Sequence, residues 1–429
     1  MFIRHSAMAL GLIIIAANAP AADPFAEYVR SSDPLTPEEE AKTFHLPPGF
    51  QIQLFAAEPD IAKPMNMAFD ERGRLWVTES REYPFAAPPD KPGRDAIKIL
   101  EDTNGDGRAD RITTFADGLN IPIGLYPYRG GVIAWSIPNI WLLQDTNGDG
   151  KADKREPLFG PLGWEKDTHG MNASFRRGFD GWIYVTHGFN NTSVVRGRDG
   201  SEIKLNSGNT YRVRPDGSRV EPHTWGQVNP FGLTFDSLGN VYSADCHSSP
   251  IYQLLRGAFY PSFGKPDDGL GFAPTLMQHS HNSTAIGGIV YYADDQWPAE
   301  FRDNIFVGNV MTSRVNRDAI RFSGSSPSAT EMPDLVRSDD PWFRPADLQL
   351  GPDGALYIAD FYNRIIGHYE VPLTHPGRDR ERGRIWRVTY RGKPSRPLNL
   401  VGLSIEKVIA ELSSPNLTRR MLAMNHLVD

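Results

Sequence analysis

Two short acidic segments are the residues of this sequence best suited to chemistry. They share the pattern D-x-N-x-D-G-x-x-D and occupy residues 102–110 and 145–153. Side-chain oxygens at the first, third, fifth and ninth positions, a glycine that permits a sharp turn and a backbone carbonyl after it are what Ca²⁺ binds in EF-hand-type loops. We therefore predict two calcium sites, formed by Asp102, Asn104, Asp106, Arg108, Asp110, Asp145, Asn147, Asp149, Lys151 and Asp153.

The flanking residues indicate what kind of loop this would be. The bidentate glutamate of an EF-hand is missing, since the twelfth positions hold Thr113 and Glu156, and only the second could mimic it. Strand-like flanks, such as 97–100 and 112–115, predict hairpin loops instead of EF-hand helices. The alternative interpretation is a hairpin turn that binds no ion, because Asn-Gly and Asp-Gly are strong turn signals by themselves.

A second set of polar residues stands near the ends of predicted strands. If those strand ends face one rim, the side chains would converge near a shared channel as a metal or sugar site. His279 and His281 alternate on a predicted strand, so both rings could face one way. The alternative for each single histidine is a hydrogen-bonded structural role. The set comprises His169, His187, Asp245, His247, His279, His281 and Asp360.

The elements that must position these residues follow from an internal repeat. A strand, a turn rich in Gly, Asp or Asn, and a second β-branched or aromatic strand recur six times. The turn residues are Gly73, Gly131, Gly181, Gly239, Asn304 and Gly354, spaced by 58, 50, 58, 65 and 50 positions. Such periods are typical of four-stranded propeller blades with long loops. We therefore predict an all-β fold, a six-bladed β-propeller, with a pair of β-sandwiches as the alternative.

The repeat also suggests domain boundaries. We expect the propeller over residues 44–390, closed by pairing of strand 51–55 with strand 384–388. A basic, proline-bearing linker follows at 391–403, and then a helical segment at 404–429.

Within that last segment, apolar residues recur at helical spacing, and a Ser-Ser-Pro-Asn break separates two helices, 404–412 and 417–428. The helix pair is typical of the start of a HEAT-like array, which we expect to be incomplete because nothing caps it. A lone docking hairpin is the alternative.

The first 21 residues have the pattern of a secretory signal peptide. Arg4 and His5 precede an apolar run at 7–17, and Ala19-Pro20-Ala21 offers a cleavage site. The run is shorter than the roughly 20 residues that span a bilayer, so membrane association is not evident. The prediction is an exported protein of the periplasm or cell envelope. A buried helix or an uncleaved anchor is the alternative.

Composition excludes several classes of protein. The single cysteine excludes an intramolecular disulfide framework, a C-x-x-C zinc pair and C-x-x-C-H haem attachment, so no haem is expected in this chain. A net charge of −7 argues against nucleic acid as a partner. Neither a G-x-S-x-G elbow nor an H-E-x-x-H helix is present, which leaves a hydrolase with little support.

Longer motifs carry a resemblance that covers about residues 44–390. The chain resembles the quinoprotein glucose/sorbosone dehydrogenase family, and more closely the membrane-bound dehydrogenases of planctomycete-type bacteria, in which HEAT-like helices and a cytochrome c module follow the propeller. The resemblance implies oxidation of a sugar or other alcohol with pyrroloquinoline quinone (PQQ) and electron transfer to a cytochrome c partner. Besides the acidic segments, it rests on residues 48–59, 66–77, 351–360 and 382–387.

The resemblance also implies roles for individual residues. His169, in the segment 167–175, corresponds to the general base that removes the alcohol proton, a role suited to an imidazole near neutral pH. In the segment 226–232, Asn229 corresponds to a family asparagine, whereas Val228 replaces the cofactor-binding arginine. No lysine matches the one expected on the fifth blade, although Arg314 lies nearby. We assign cofactor binding to Asn229, Arg314, His247 and His281.

A second hypothesis belongs to a different class. The propeller would be non-catalytic, would bind carbohydrate or protein, and would use calcium to stiffen the two acidic loops. PQQ carries three carboxylates, and a site for it needs cationic partners. The loss of the arginine at position 228 and of the fifth-blade lysine therefore counts against the quinoprotein hypothesis.

Overall fold

The computed structural model describes residues 23–88, 90–262, 273–283, 285–365, 367, 370–391 and 396–429. The predicted signal peptide, residues 1–21, lies outside the described residues, as does the part of the predicted linker at 392–395. The chain begins with a short helix and two strands that join sheets formed much later in the sequence. These are α1 (Pro37–Glu40), β1 (Phe44–His45) and β2 (Phe50–Ala57).

Six sheets follow one another around a central channel, which confirms the predicted six-bladed β-propeller. Blade 1 contains β3 (Pro64–Phe69), β4 (Leu75–Glu79), β5 (Asp95–Glu101) and β6 (Arg111–Leu119). Blade 2 contains β7 (Ile123–Tyr128), β8 (Gly131–Ser136), β9 (Asn139–Gln144) and β10 (Lys154–Phe159). In each blade the strands pair antiparallel in chain order, from the channel outward.

Blades 3 and 4 depart from the plain four-stranded pattern. Blade 3 contains β11 (Asn172–Arg177) and β12 (Ile183–His187), then a separate ribbon of β13 (Thr192–Arg196) and β14 (Glu202–Asn206), then β15 (Asn209–Val213) and β16 (Val220–Gly226). Blade 4 shows three strands among the described residues, β17 (Asn229–Phe235), β18 (Val241–Cys246) and β19 (Ile251–Leu254). The short β20 (Phe259–Tyr260) pairs with β16 and so extends blade 3.

The last two blades take strands from the start of the chain. Blade 5 contains β21 (Ile286–Tyr292), β22 (Asn304–Asn309), β23 (Arg314–Ser323) and β24 (Ser326–Ser338), with β1 on its outer edge. Blade 6 contains β25 (Pro345–Leu350), β26 (Leu356–Asp360) and β27 (Arg384–Tyr390), and β2 pairs with β27. The register places Gln51 opposite Thr389 and Leu54 opposite Trp386, which confirms the predicted closure of the ring.

A repeated aspartate explains why the strand–turn–strand units fold locally. Asp70 and Asp236 each begin the turn between the first two strands of a blade, and Asp353 lies two residues into the corresponding turn of blade 6. Each carboxylate accepts backbone N–H groups of its own turn and also a donor from an aromatic ring of the second strand. The charge therefore fixes the hairpin and holds a large ring, such as Trp76, against the neighbouring blade.

The two predicted C-terminal helices are present as α2 (Ile405–Glu411) and α3 (Leu417–Val428). Arg419 of α3 pairs with Glu411 of α2 at 2.7 Å. No helix among the described residues has the length and apolar character that crossing a membrane requires.

One local prediction is wrong. His279 and His281 do not alternate on a strand, because the segment that carries them is a loop before β21. His281 has a φ of +52°, a left-handed conformation that an extended strand cannot contain.

Candidate functional site

A cavity opens at the mouth of the channel where the innermost strands begin. The space measured out to its open end, which includes solvent, is about 1060 Å³. Most of its wall is apolar. The polar side chains that line it are Tyr83, Thr168, His169, Asn229, His247 and Glu370.

The loop that enters β11 holds His169 at this cavity. Asp167 accepts the His169 backbone N–H at 2.8 Å. The buried Asn191 side chain donates to the carbonyls of Asp167 and Gly170, at 2.6 and 2.7 Å, and so fixes both ends of the short turn. On the ring, Nδ1 of His169 lies 3.4 Å from the Tyr83 hydroxyl. The imidazole is therefore positioned by its backbone while it faces the cavity.

Burial controls the charge of both cavity histidines. It lowers the pKa of His169, and the neighbouring His247 and Arg378 side chains act in the same direction, against Asp167 and Glu370. Burial also lowers the pKa of His247. Both imidazoles are therefore neutral near pH 7, which is the form that accepts a proton.

Asn229 is the second residue implied by the resemblance that reaches the cavity. It begins β17, and its side-chain oxygen accepts the Phe189 backbone N–H at 3.0 Å. Its own backbone N–H donates to Asp245 at 2.7 Å. The asparagine thus joins the ends of blades 3 and 4 at the rim of the cavity.

The polar residues at the ends of second strands are structural. Asp245 accepts the backbone N–H groups of Val228 and Asn229, and burial raises its pKa to about 7. Asp360 accepts the N–H of Arg344 at 2.8 Å in the same way. The ring of the buried His187 bonds the Ser207 carbonyl and the Ser193 hydroxyl. His187, Asp245 and Asp360 therefore fix the entering loops, whereas His169 and His247 of the same predicted set meet at the cavity.

Two of the predicted cofactor ligands lie in blade 5, away from the cavity. Arg314 pairs with Asp334 at 2.7 Å. His281 bonds Asp318 at 2.7 Å, within a loop that folds outward onto β23. The structure therefore brings His169, His247 and Asn229 together, but it places His281 and Arg314 elsewhere, because both are held by carboxylates of their own blade.

The acidic segments are hairpin loops, between β5 and β6 and between β9 and β10, as their flanks predict. Asp102 accepts the N–H groups of Gly105 and Gly107 at 2.7 and 2.8 Å, and Asp145 makes the same two bonds one blade later. These oxygens stabilise the turn without an ion. The calcium ligands predicted from sequence keep free lone pairs, since a carboxylate has about four.

Sequence reasoning missed three polar residues of the cavity, Tyr83, Thr168 and Glu370. All three lie in loops that lead into or out of blade strands. Thr168 stands beside His169 and donates to the Pro84 carbonyl at 2.6 Å. Tyr83 lies in the 15-residue stretch between β4 and β5, and the length of that loop was the available signal.

The fold is a six-bladed propeller with an open cavity at one mouth of its channel. The chain belongs to a family described as a domain of unknown function (DUF7133), whose model matches residues 36–392. No curated protein matches it.

Solved structures share the fold at low sequence identity. An oxidoreductase (glucose dehydrogenase) from Thermus thermophilus is 20% identical with a TM-score of 0.54, over 79% of this chain and 100% of that one. The PQQ-bound aldose sugar dehydrogenase from Streptomyces coelicolor is 15% identical with a TM-score of 0.50, over 80% and 99%. The PQQ domain of pyranose dehydrogenase from Coprinopsis cinerea is also 15% identical with a TM-score of 0.50, over 81% and 97%.

The cavity is a poor match to PQQ itself. Three carboxylates need cationic partners, yet the described lining contains no lysine or arginine and does contain Glu370. Val228 is 1% exposed and contributes only its backbone N–H to Asp245. The guanidinium of Arg378 is engaged with the carbonyls of Gly367 and Val371. The described residues therefore do not fit a tricarboxylate.

Proposed function

We propose that this protein is a propeller oxidoreductase that binds a sugar or other alcohol beside His169 and oxidises it. The supporting observation is that His169 and Asn229, 60 positions apart, line one cavity together with His247. The similar folds include proteins named glucose, aldose sugar and pyranose dehydrogenases, which indicates the substrate class.

In such a reaction the residues of this chain would provide the general base that accepts the hydroxyl proton. Oxidation of an alcohol removes the hydroxyl proton and transfers a hydride from the carbon to a separate two-electron acceptor, a quinone or a nicotinamide cofactor. The neutral imidazole of His169 accepts the proton, a role worth roughly 10²- to 10⁴-fold in rate. The mainly apolar wall lowers the local polarity, which strengthens the hydrogen bonds that orient the hydroxyl.

A reconstitution assay tests this proposal and identifies the hydride acceptor. The protein is incubated with PQQ and Ca²⁺, or with nicotinamide cofactor, and then with a panel of sugars and a dye. We expect sugar-dependent bleaching that falls at least about 100-fold in His169→Ala. His45→Ala is the matched control, because His45 is half exposed and paired with Asp339 outside the cavity. Equal bleaching by the His169→Ala variant and the wild type would refute the role of the imidazole.

A second candidate is a non-catalytic module that binds carbohydrate. The absence of lysine and arginine from the described cavity lining favours it. Calorimetric titration with the same sugars distinguishes the enzyme from the binding module. Sugar binding without turnover, whichever hydride acceptor is supplied, supports the module. Binding that survives Asn229→Ala and His169→Ala would show that the sugar sits elsewhere.

We also propose that Ca²⁺ binds the two acidic hairpin loops. The support is the duplicated arrangement of Asp102 and Asp145, each already oriented by the glycine N–H groups of its loop. Calorimetric titration with Ca²⁺ should show two sites, and Asp102→Asn should remove one of them. No heat at millimolar Ca²⁺ would exclude both.

Export to the cell envelope and electron transfer to a cytochrome c complete the proposal. Residues 1–21 support export, and the resemblance of the propeller supports the partner. Fractionation of expressing cells tests the first, and reduction of added cytochrome c in the reconstituted assay tests the second.

A further inference from the structure

We propose that His279, His281 and Asp318 form a binding site for a divalent transition-metal ion of the Zn²⁺ type. The three side chains lie in blade 5, outside the cavity. Among the residues that the structure describes, they are the one group of three or more His, Cys, Asp or Glu whose ligand atoms all lie within 4.8 Å of one another. Two imidazoles and a carboxylate are donors that zinc and related ions select.

The donor atoms already point at one another. Nε2 of His279 lies 2.6 Å from one oxygen of Asp318, and Nε2 of His281 lies 2.7 Å from the other oxygen. Ligands of a tetrahedral zinc ion stand about 3.3 Å apart, so each pair has to open by less than about 1 Å. The imidazole rings meet edge to face, with centroids 4.7 Å apart, which leaves both Nε2 atoms directed at the carboxylate.

The surroundings have the features of a metal site. Glu331 lies 3.2 Å from Nδ1 of His281, so it can accept the ring N–H and leave Nε2 as the ligand atom. Metal-bound histidines commonly use such a carboxylate partner. Asp318 and Glu331 are also direct cross-strand neighbours on β23 and β24. Two like charges in that position repel each other, and a cation bound to Asp318 reduces the repulsion.

The burial of the three side chains would hold a bound ion and still leave it a path from solvent. The side chains of His281 and Asp318 are fully buried, whereas that of His279 is 20% exposed. Dry surroundings strengthen the interaction of the ion with its ligands, and the exposed edge of His279 provides the entry path. With three protein ligands, a fourth position stays available for water.

The site would fasten a loop to the wall of the cavity. The backbone before it is tied to β24 by the Ala329 N–H, which donates to the Leu276 carbonyl at 2.9 Å. After it, Asn309 donates to the His281 carbonyl at 3.1 Å. Four and five residues after His281, Ala285 and Ile286 line the cavity. An ion bound here therefore holds one edge of the cavity without entering it.

Metal titration of the full chain tests the proposal. After chelator treatment, the protein is titrated with Zn²⁺ in the presence of excess Ca²⁺, which occupies oxygen-only sites. We expect one Zn²⁺ per chain and, with Co²⁺, the visible absorption of a tetrahedral ion. His279→Ala and Asp318→Asn should each weaken binding by more than about 100-fold, and Glu331→Gln by about 10- to 100-fold.

The matched control is His45→Ala, since His45 and Asp339 form a similar 2.6 Å pair that lacks a second imidazole. Its affinity for Zn²⁺ should equal that of the wild type. The proposal is overturned if the wild type binds no Zn²⁺ at micromolar concentration, or if His279→Ala binds as tightly as the wild type. Because the His279 ring is partly exposed, this variant keeps the test decisive even if Asp318→Asn does not fold.

Discussion

The two mouths of the channel are built in opposite ways. At one mouth the innermost strands begin, loops stand around the rim, and His169 and His247 face an open cavity. At the other mouth those strands end, and α3 lies across them. Thr418 of α3 donates to the Leu350 carbonyl at 2.7 Å, and Arg177 pairs with Asp429 at 2.6 Å.

A buried ion pair separates the two ends. Arg176 of blade 3 lines the cavity beneath α3, and its partner Asp347 of blade 6 follows Ala346, which lines the open cavity. The two side chains meet at 3.3 Å across the channel. The comparison shows that the connections between strands make the two mouths different: loops keep one end accessible, and a helix covers the other.

The largest expected effect is on the free energy of unfolding, when the Arg176–Asp347 ion pair between the two mouths is broken. Arg176→Met leaves the carboxylate of Asp347 buried without its cation, so we expect the free energy of unfolding to fall by about 3–5 kcal/mol. Urea denaturation measures the change. Adding Asp347→Asn should recover part of the loss, because the amide oxygen still accepts the Met67 N–H. An unchanged midpoint for Arg176→Met would show that the pair does not hold the channel.

A smaller effect is expected at the covered mouth. Arg177→Met removes the bonds from the guanidinium to Asp429 and to the Tyr126 hydroxyl. The free energy of local opening of α3 should fall by about 1–3 kcal/mol, so its amide hydrogens should exchange faster. Exchange in β4 should stay unchanged. Arg420→Met is the control, since Arg420 bonds the Ser237 hydroxyl at the exposed edge of the helix and the Ser414 and Pro415 carbonyls just before α3, and not Asp429 or Tyr126. Equally faster amide exchange in both variants would contradict a specific role of Arg177 in holding α3 against the blades.

The smallest effect concerns pH at the open mouth. Burial holds the pKa of His169 and of His247 below that of an exposed imidazole, so both rings stay mainly neutral as the pH falls from 8 to 7. Sugar oxidation, or sugar binding, should therefore be nearly constant over this range and should decline only at lower pH, as the imidazoles take up protons. A profile that already falls between pH 8 and 7 would indicate a different base.

The fold could be predicted because its signals are local. Each blade repeats a turn between two strands, and the aspartates and glycines of those turns act within a few residues of one another. Gly73, Gly181, Gly239 and Gly354, read as turn residues, all adopt a positive φ. The closure by β2 could also be predicted, because alternation marks 51–55 as a half-buried strand.

The site could be predicted only in part, because its contacts join distant segments. His169 and Asn229 were found through the resemblance, and His247 through its place after β18. The partner of His281 is Asp318, which lies 37 positions later in the chain. No local pattern in either segment predicts this pairing. Glu370 reaches the cavity from a long connection after β26, which carries no periodic pattern.

The closing pair of strands has a consequence for synthesis. Ala57 stands opposite Arg384, so β2 emerges from the ribosome about 330 residues before the strand that it must join. At about 5–20 residues per second, that wait lasts roughly 15–65 s. Throughout it, the backbone edge of β2 has no neighbour in its own sheet, and such an edge is a template for wrong pairing. The nascent chain therefore has the greatest need of a chaperone before its final strand is made.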